Sequence, residues 1–337
     1  MTVRTLWSLT KPRIVALLTL TGVTALYAAG GAPLRTVGGF VVAGAAIAAG
    51  SAAFNCYYDR HLDRHMARTA DRPLPADDLS PRAAIAFVLV LLAVGTAVGL
   101  STLPLDTVAY MWLGVGSYAG VYTVGLKRRH WLGAVIGGSA GSFPVLAGWS
   151  AVAPIGPAAL LLAALVFVWT PAHAWALAYV YREDFRAADV PTLPAVADGA
   201  VVRRAVWVSA ALTAVVAAGA VPFAGRLYAV ACLVALPAFL WAFWTYRRSG
   251  RAQAAVRAFF TSNLLLAALF TAWALDGVLS QPSAGAEAAA GIAILASFIG
   301  LWRARPSLGT VHSEAVALPR SVRRLAPWAG DADRFRG

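Results

Sequence analysis

The sequence predicts an all-α, polytopic membrane protein. Of its 337 residues, 60% are hydrophobic and only 13% are charged, whereas soluble domains carry about 25% charged residues. Apolar runs of about twenty residues, the length of a helix that crosses the hydrocarbon core, recur along the chain. Lys and Arg collect in alternate connections between those runs. The runs are too long for tilted barrel strands, and helices satisfy their own backbone polar groups in lipid.

Taken in order, the apolar spans are expected at 13–31, 36–54, 83–101, 106–126, 132–152, 157–179, 205–223, 227–245 and 258–279. The first follows MTVRTLWSLTKPR and is too long, without a small-residue cleavage site, for a removable signal peptide. The second opens directly into NCYYDRHLDRHMARTADRPLP at 55–75. The sixth contains the breaker Pro171 and, close after it, His173. Residues 1–280 are therefore expected to form one transmembrane domain of nine helices. Residues 281–302 hold a candidate tenth helix, short and alanine-rich (EAAAGIAILASFIGLW), and 303–337 read as a flexible basic cytoplasmic tail.

The net charge of +13 is placed for a membrane, and a nucleic-acid partner is not expected. Arg4, Lys11 and Arg13 precede the first span, and Arg60, Arg64, Arg68, Arg72 and Arg82 follow the second. Lys127, Arg128 and Arg129, then Arg182, Arg186, Arg203 and Arg204, then Arg247, Arg248, Arg251 and Arg257 occupy later connections on the same side. The intervening connections hold only Arg35 and Arg226. This asymmetry predicts a multi-pass protein of the cell (inner or plasma) membrane, with its N-terminus and basic loops cytoplasmic. Cys56 and Cys232 show no metal or redox spacing, and no disulfide framework is expected.

The acids cluster more tightly than the bases. Asp59, Asp63, Asp71, Asp77 and Asp78 fall in one cytoplasmic connection, and Glu183, Asp184, Asp189 and Asp198 in another. Residues four apart stack on a helix face. A second span continuing past Phe54 would therefore align Asn55, Asp59 and Asp63 in one oxygen-bearing ridge. Arg60, Arg64, Arg68 and Arg72 would form a neighbouring ridge up to Pro73. Carboxylates with an amide oxygen suit Mg²⁺ that also binds substrate phosphates, and arginines suit the phosphate oxygens. Spacing alone fits equally a solvated loop whose Asp and Arg residues pair. The second acidic stretch, YREDFRAADVPTLP, also ends an apolar span and tilts the balance toward a two-sided diphosphate site. His173 reads either as a functional ionisable group inside a span or as a neutral histidine bonded to a neighbouring helix. His61 and His65, four apart, face away from the acidic ridge. A transporter would instead place its ionisable groups at mid-membrane on broken helices.

Asn55-x3-Asp59-x3-Asp63 followed by MARTADRPL resembles the first aspartate-rich motif of the UbiA-type intramembrane prenyltransferases. More narrowly it resembles the heme O synthase (protoheme IX farnesyltransferase) branch of that family. LTKPRIVALLTLTGVTAL, KRRHWLGAVIGGSAGSFPVLAGW, VWTPAHAWALA, YREDFRAADVPTLP and RAFFTSNLLLAALF carry the same resemblance, in order, across about residues 9–279. It implies a nine-helix bundle around a cavity open to the membrane. It also implies Mg²⁺-dependent transfer of a farnesyl group from farnesyl diphosphate to a vinyl group of heme B, with membrane lipid around the site and heme-modifying enzymes downstream. By the same resemblance Asn55, Asp59, Asp63 and Asp184 carry the catalysis, and these four with Glu183 hold the metal. Arg68, Arg72, Lys127, Arg128, Arg182, Lys11 and Arg13 bind the diphosphate, and His173 and Arg129 face the heme. His61, Glu183, Phe185, Asp189 and Thr192 depart from the residues usual in the branch. A quinone precursor or another aromatic is the alternative acceptor.

Overall fold

The structure is a computed structural model that describes residues 3–65 and 69–279. Arg68 and the expected tenth helix and tail at 281–337 lie outside the described residues.

Apolar composition and terminal breakers give helices throughout, and no strand occurs among the described residues. In chain order they are α1 (Val3–Leu9), α2 (Pro12–Ala28), α3 (Leu34–Asp63), α4 (Pro81–Thr102) and α5 (Leu105–Val115). A π-helical stretch, Gly116–Leu126, continues α5. Then follow α6 (Gly133–Ile136), α7 (Ser139–Ser150), α8 (Pro157–Val180), α9 (Arg182–Ala187), α10 (Leu193–Val196), α11 (Gly199–Gly219), α12 (Arg226–Ser249) and α13 (Ala252–Leu279). Pro stands in the first turn of α2, α4 and α8, where its missing N–H costs nothing.

Six helices among the described residues are long and apolar enough to cross a membrane: α3, α4, α8, α11 with its 3₁₀ extension to Phe223, α12 and α13. α2 is apolar but shorter. The expected spans 106–126 and 132–152 are helical but divided, the first by its change to π register and the second at Gly137–Gly138. Large apolar side chains such as Leu89, Leu233, Val234 and Trp241 stand on the outer surface. A soluble protein rarely exposes so much apolar surface.

α3 packs along α4, α2 lies between α3, α7 and α13, and α8 packs on α11, α13 and α7. Two tight backbone approaches set this arrangement. A Cβ on Gly148 of α7 would sit 1.9 Å from the carbonyl oxygen of Gly22 in α2, and one on Gly277 of α13 would sit 2.3 Å from that of Tyr27. Glycine lets helices meet at backbone distance where lipid offers no hydrophobic drive to association. One apolar core lies among α7, α8, α11, α12 and α13, and a second joins α2, α3, α5 and the end of α13. A third holds Leu9, Ala53, Cys56, Leu74, Leu79, Ala84 and Val88, and anchors α1 and the 69–80 loop against α3 and α4. Both cysteines are free and buried.

Pro171 opens α8 locally, and Ser209 of α11 fills the gap. Its hydroxyl accepts from the Ala172 amide at 3.1 Å and donates to the Val168 carbonyl at 2.8 Å. At the opposite end of α13, Asp276 caps α12, accepting from the amides of Leu227 (3.0 Å) and Tyr228 (2.8 Å).

Candidate active site

The second expected span does run on as one helix past Phe54, and α3 carries Asn55, Asp59 and Asp63 on one face through its last residue. All three are buried, 3%, 1% and 3% exposed respectively. Burying two carboxylates is costly unless they are paired, and each is met by cations from other elements. Lys127 and Arg128 converge on Asp59, the lysine on Oδ2 and the arginine on Oδ1 at 3.0 Å. Arg72 reaches Asp63 Oδ2 at 2.8 Å. Lys11 donates to Asn55 Oδ1, while Asn55 Nδ2 donates to Asp59 Oδ2 at 2.9 Å and to Thr123 Oγ1 at 3.1 Å. The amide thus turns its oxygen to a cation and its nitrogen to a carboxylate, which assigns its orientation.

Local features deliver each partner. Lys11 sits at the N-terminus of α2 in the left-handed region, φ 51°, a strained conformation for a residue with a side chain. Desolvation pulls its ammonium below the usual lysine range; nearby Arg72 adds to that pull, and Asp63 and Asp59 oppose it. The π register of Gly116–Leu126 lets Thr123 donate to the Tyr118 carbonyl at 2.8 Å and turns Thr123 and Lys127 toward α3. Such wide turns are rare and recur at functional sites. The Arg128 guanidinium also lies 4.7 Å from the centroid of the Tyr58 ring, a cation–π contact.

Among the described residues, the arginine ridge expected beside the acids does not form. α3 ends at Asp63, ten residues before Pro73, and the Thr69 hydroxyl donates to the Asp63 carbonyl at 3.0 Å, taking up a helix-terminal acceptor. Arg60 lies against the Tyr57 ring, and Arg64 turns to the Pro75 carbonyl and Asp77. Of the described ridge arginines, Arg72, folded back from the following turn, joins the acids. His61 and His65 are exposed, and His65 Nδ1 lies 2.9 Å from the His61 carbonyl oxygen.

The second acidic stretch forms the short α9. Glu183 is exposed and paired with Arg182 (3.3 Å) and Arg186 (3.0 Å). Asp184 is half-buried, and Arg182 lies over the Tyr179 ring. Just beyond, Ala188 and Val190 form a small cluster with Leu62 of α3 and Phe185 packed on it, so the two acidic connections are neighbours. Arg13 and Arg129 are exposed. His173 stacks between Trp169 (4.1 Å) and Phe259 (4.4 Å), with Nδ1 2.9 Å from Ser262 Oγ. Thr123 and Tyr58 were not singled out from the sequence; Thr123 stands four residues before Lys127, and that spacing was the available signal.

Among the described residues, no three His, Cys, Asp or Glu side chains gather as a metal cage. Two buried carboxylates and an amide are the donor set of a Mg²⁺ site completed by substrate phosphates, and in that sense the residues fit. Lys11, Arg72, Lys127 and Arg128 outnumber the two carboxylates, leaving positive charge in excess for an anionic ligand.

Comparison with known proteins identifies the family. The model of the UbiA prenyltransferase family matches residues 15–264. A protein of Natronomonas pharaonis named protoheme IX farnesyltransferase 2 is 42% identical over 277 residues, 78% of this chain and 63% of that protein. A protoheme IX farnesyltransferase of Mycobacterium sp. (strain KMS) is 38% identical over 290 residues, 82% of this chain and 91% of that protein. Among solved structures, a digeranylgeranylglyceryl phosphate synthase shares the fold with a TM-score of 0.69 at 14% identity, over 82% of this chain and 98% of that one. A UbiA homologue from Archaeoglobus fulgidus, bound to DMAPP and Mg²⁺, does so with a TM-score of 0.60 at 18% identity, over 79% and 98%. With the family match spanning the acidic column, Arg72, Lys127, Arg128 and most of the helices around them, the chain belongs to the UbiA prenyltransferase family and is a multi-pass integral membrane enzyme.

Proposed function

We propose that this protein transfers the farnesyl group of farnesyl diphosphate to a vinyl group of heme B, giving heme O, with Mg²⁺ as cofactor. The observation that carries the reading is the buried Asn55–Asp59–Asp63 column ringed by Lys11, Arg72, Lys127 and Arg128. The names and identities of the relatives support the acceptor. Asn55, Asp59 and Asp63 would hold the metal, with Asp184 and Glu183 on the facing stretch. Mg²⁺, when bound, neutralises charge developing on the departing diphosphate.

The chain's own residues do the rest. Lys127, Arg128, Arg72 and Lys11, aided by Arg68, Arg182 and Arg13, bind the phosphate oxygens and stabilise the leaving group. As the farnesyl C1–O bond breaks, its electron pair leaves with the diphosphate. The vinyl terminal carbon then forms the new C–C bond, and water adds to the adjacent carbon with loss of a proton. The surrounding helices exclude water from the allylic cation until the vinyl group has reacted. His173 and Arg129 would face the porphyrin. Residues 1–280 act as one domain, with lipid around them and the N-terminus and site loops cytoplasmic, as the basic connections favour. The product would pass to heme-modifying enzymes.

Purified protein incubated with heme B, farnesyl diphosphate and Mg²⁺ should yield the hydroxyethylfarnesyl heme by mass spectrometry. Chelation by EDTA should stop the reaction and Mg²⁺ restore it. Folded protein that binds farnesyl diphosphate yet makes no such product would overturn the reading, and prenylation of a phenolic acceptor in its place would move it to the alternative.

A further inference from the structure

The start of α11 and the end of α12 meet in a corner that collects arginines. A Cβ on Gly250, in the turn that ends α12, would sit 3.2 Å from Arg203 Nη1 of α11. Trp207 of α11 meets Trp244 of α12 edge to face, with 5.3 Å between ring centroids. The Arg247 guanidinium lies 5.7 Å from the Trp207 ring centre and 5.4 Å from that of Trp244. The Arg248 guanidinium lies 5.7 Å from the same Trp244 ring. Tyr179, near the end of α8, donates its hydroxyl to the Gly250 carbonyl at 2.9 Å, so the corner stands at the end of the bundle from which α9 leaves.

These cations have no acid to answer them. The ion pairs among the described residues use Arg64, Arg72, Lys127, Arg128, Arg182 and Arg186, and none uses Arg203, Arg247 or Arg248. Asp198, at the N-cap of α11, is exposed and pairs with none of the three. The end of α12 does not occupy them either. Its Tyr246 carbonyl accepts from the Gly250 amide, and the Gly250 carbonyl from Tyr179. Arg247 and Arg248 are exposed. Two guanidinium groups held on one indole repel each other, and cation–π attraction keeps them there. Their N–H forks stay open to an anion, and phosphate is the anion that such forks match.

The surface leading away from the corner is apolar. Val234, Trp241 and Arg248 recur every seven residues on α12 and so lie on nearly one face. Val234 and Trp241 are each 71% exposed. From Arg248 to Val234 is about 21 Å at 1.5 Å per residue, longer than one leaflet of the roughly 30 Å hydrocarbon core. A free phosphate would use the corner alone, whereas a phosphate that carries an acyl chain fits both the corner and the face.

We infer that this corner binds an anionic phospholipid, its phosphate on Arg247 and Arg248 and an acyl chain along the Trp241–Val234 face. Arg203 adds charge from α11, and the two indoles hold the guanidinium planes in place. The site shares no residue with the acidic column and depends on neither the acceptor nor the metal.

In the test, purified full-length protein in detergent is titrated with phosphatidylglycerol or with phosphatidylcholine of the same acyl chains, and bound lipid is counted by native mass spectrometry. Wild type should hold phosphatidylglycerol about tenfold or more tightly than phosphatidylcholine, and Arg247→Gln/Arg248→Gln should erase that preference. Arg82→Gln/Arg257→Gln removes the same charge from other basic connections and should retain it. Trp244→Leu keeps every charge and should weaken phosphatidylglycerol binding by about threefold or more, through loss of the cation–π seat. Melting temperatures close to wild type in lipid-free detergent report that the variants fold. Equal wild-type affinity for the two lipids, an equal loss in Arg82→Gln/Arg257→Gln, or wild-type binding by Trp244→Leu would overturn the inference. Displacement of phosphatidylglycerol by millimolar inorganic phosphate would also overturn it, since the site would then serve a soluble anion.

Discussion

The Lys127–Asp59 pair ties the π-helical end of the fourth apolar span to α3, and its removal should be felt in both stability and substrate binding. The Asp59 side chain is 1% exposed and that of Lys127 17%. Breaking a buried pair by removing one partner costs about 3–5 kcal/mol, because a charge is left uncompensated. In Lys127→Met, Asp59 keeps Arg128 and Asn55. Arg128 is 37% exposed and solvent-screened, so it recovers part of the loss, and about 2–3 kcal/mol is expected. At about 2–4 °C per kcal/mol, the melting temperature in detergent should fall by roughly 4–12 °C. Asp59→Asn keeps the side-chain shape and an acceptor for Asn55, and should cost about 1–2 kcal/mol. In the double variant no buried carboxylate is stranded, so the two losses should overlap by about 1.5 kcal/mol or more. Farnesyl diphosphate affinity, measured by isothermal titration with Mg²⁺, should fall at least tenfold in each single variant. Additivity of the two stability losses within about 0.5 kcal/mol, or unchanged diphosphate affinity, would refute the reasoning.

Arg72→Met strands Asp63 and removes a cation proposed to face the phosphates; a stability loss of about 1.5–3 kcal/mol and a raised KM for farnesyl diphosphate are expected from thermal shift and initial rates. Gly148→Ala places a methyl 1.9 Å from the Gly22 carbonyl oxygen, so α2 and α7 must separate. A destabilisation of about 1–3 kcal/mol or more is expected, read as a lower melting temperature, and wild-type stability would contradict the close approach. Asp276→Ala removes both acceptors from the start of α12 and should lower stability by about 1–2 kcal/mol. It leaves the acidic column untouched, so kcat and KM in the variant should match wild type.

The column Asn55–Asp59–Asp63 was legible because its logic is local: four-residue spacing stacks side chains on any helix, and only continuation of the span was needed. Its partners were not legible in the same way. Lys11 is 44 residues from Asn55 and Lys127 is 68 from Asp59, and no periodicity links positions so far apart. Family resemblance assigned those lysines to the diphosphate; their contacts with the acids came from packing. The arginine ridge failed for a related reason. A ladder at i, i+4 presumes a continuing helix, and α3 ends at Asp63, whose carbonyl accepts from the Thr69 hydroxyl. The π register of Gly116–Leu126 was equally hidden, since hydropathy reads a span without resolving how its turns are wound.

Composition and the placement of charge by themselves determined that the chain is helical and membrane-spanning, because lipid leaves an apolar chain few ways to satisfy its backbone. They also determined which helix ends gather the acids, because acids are too costly to scatter through apolar spans. Tertiary structure decided how three cations meet the two buried carboxylates while Lys11 meets Asn55, and which of the described ridge arginines joins them. Those outcomes depend on helix–helix approach at glycine contacts and on where each helix stops, and both are set by atoms that are distant in the chain and adjacent in space.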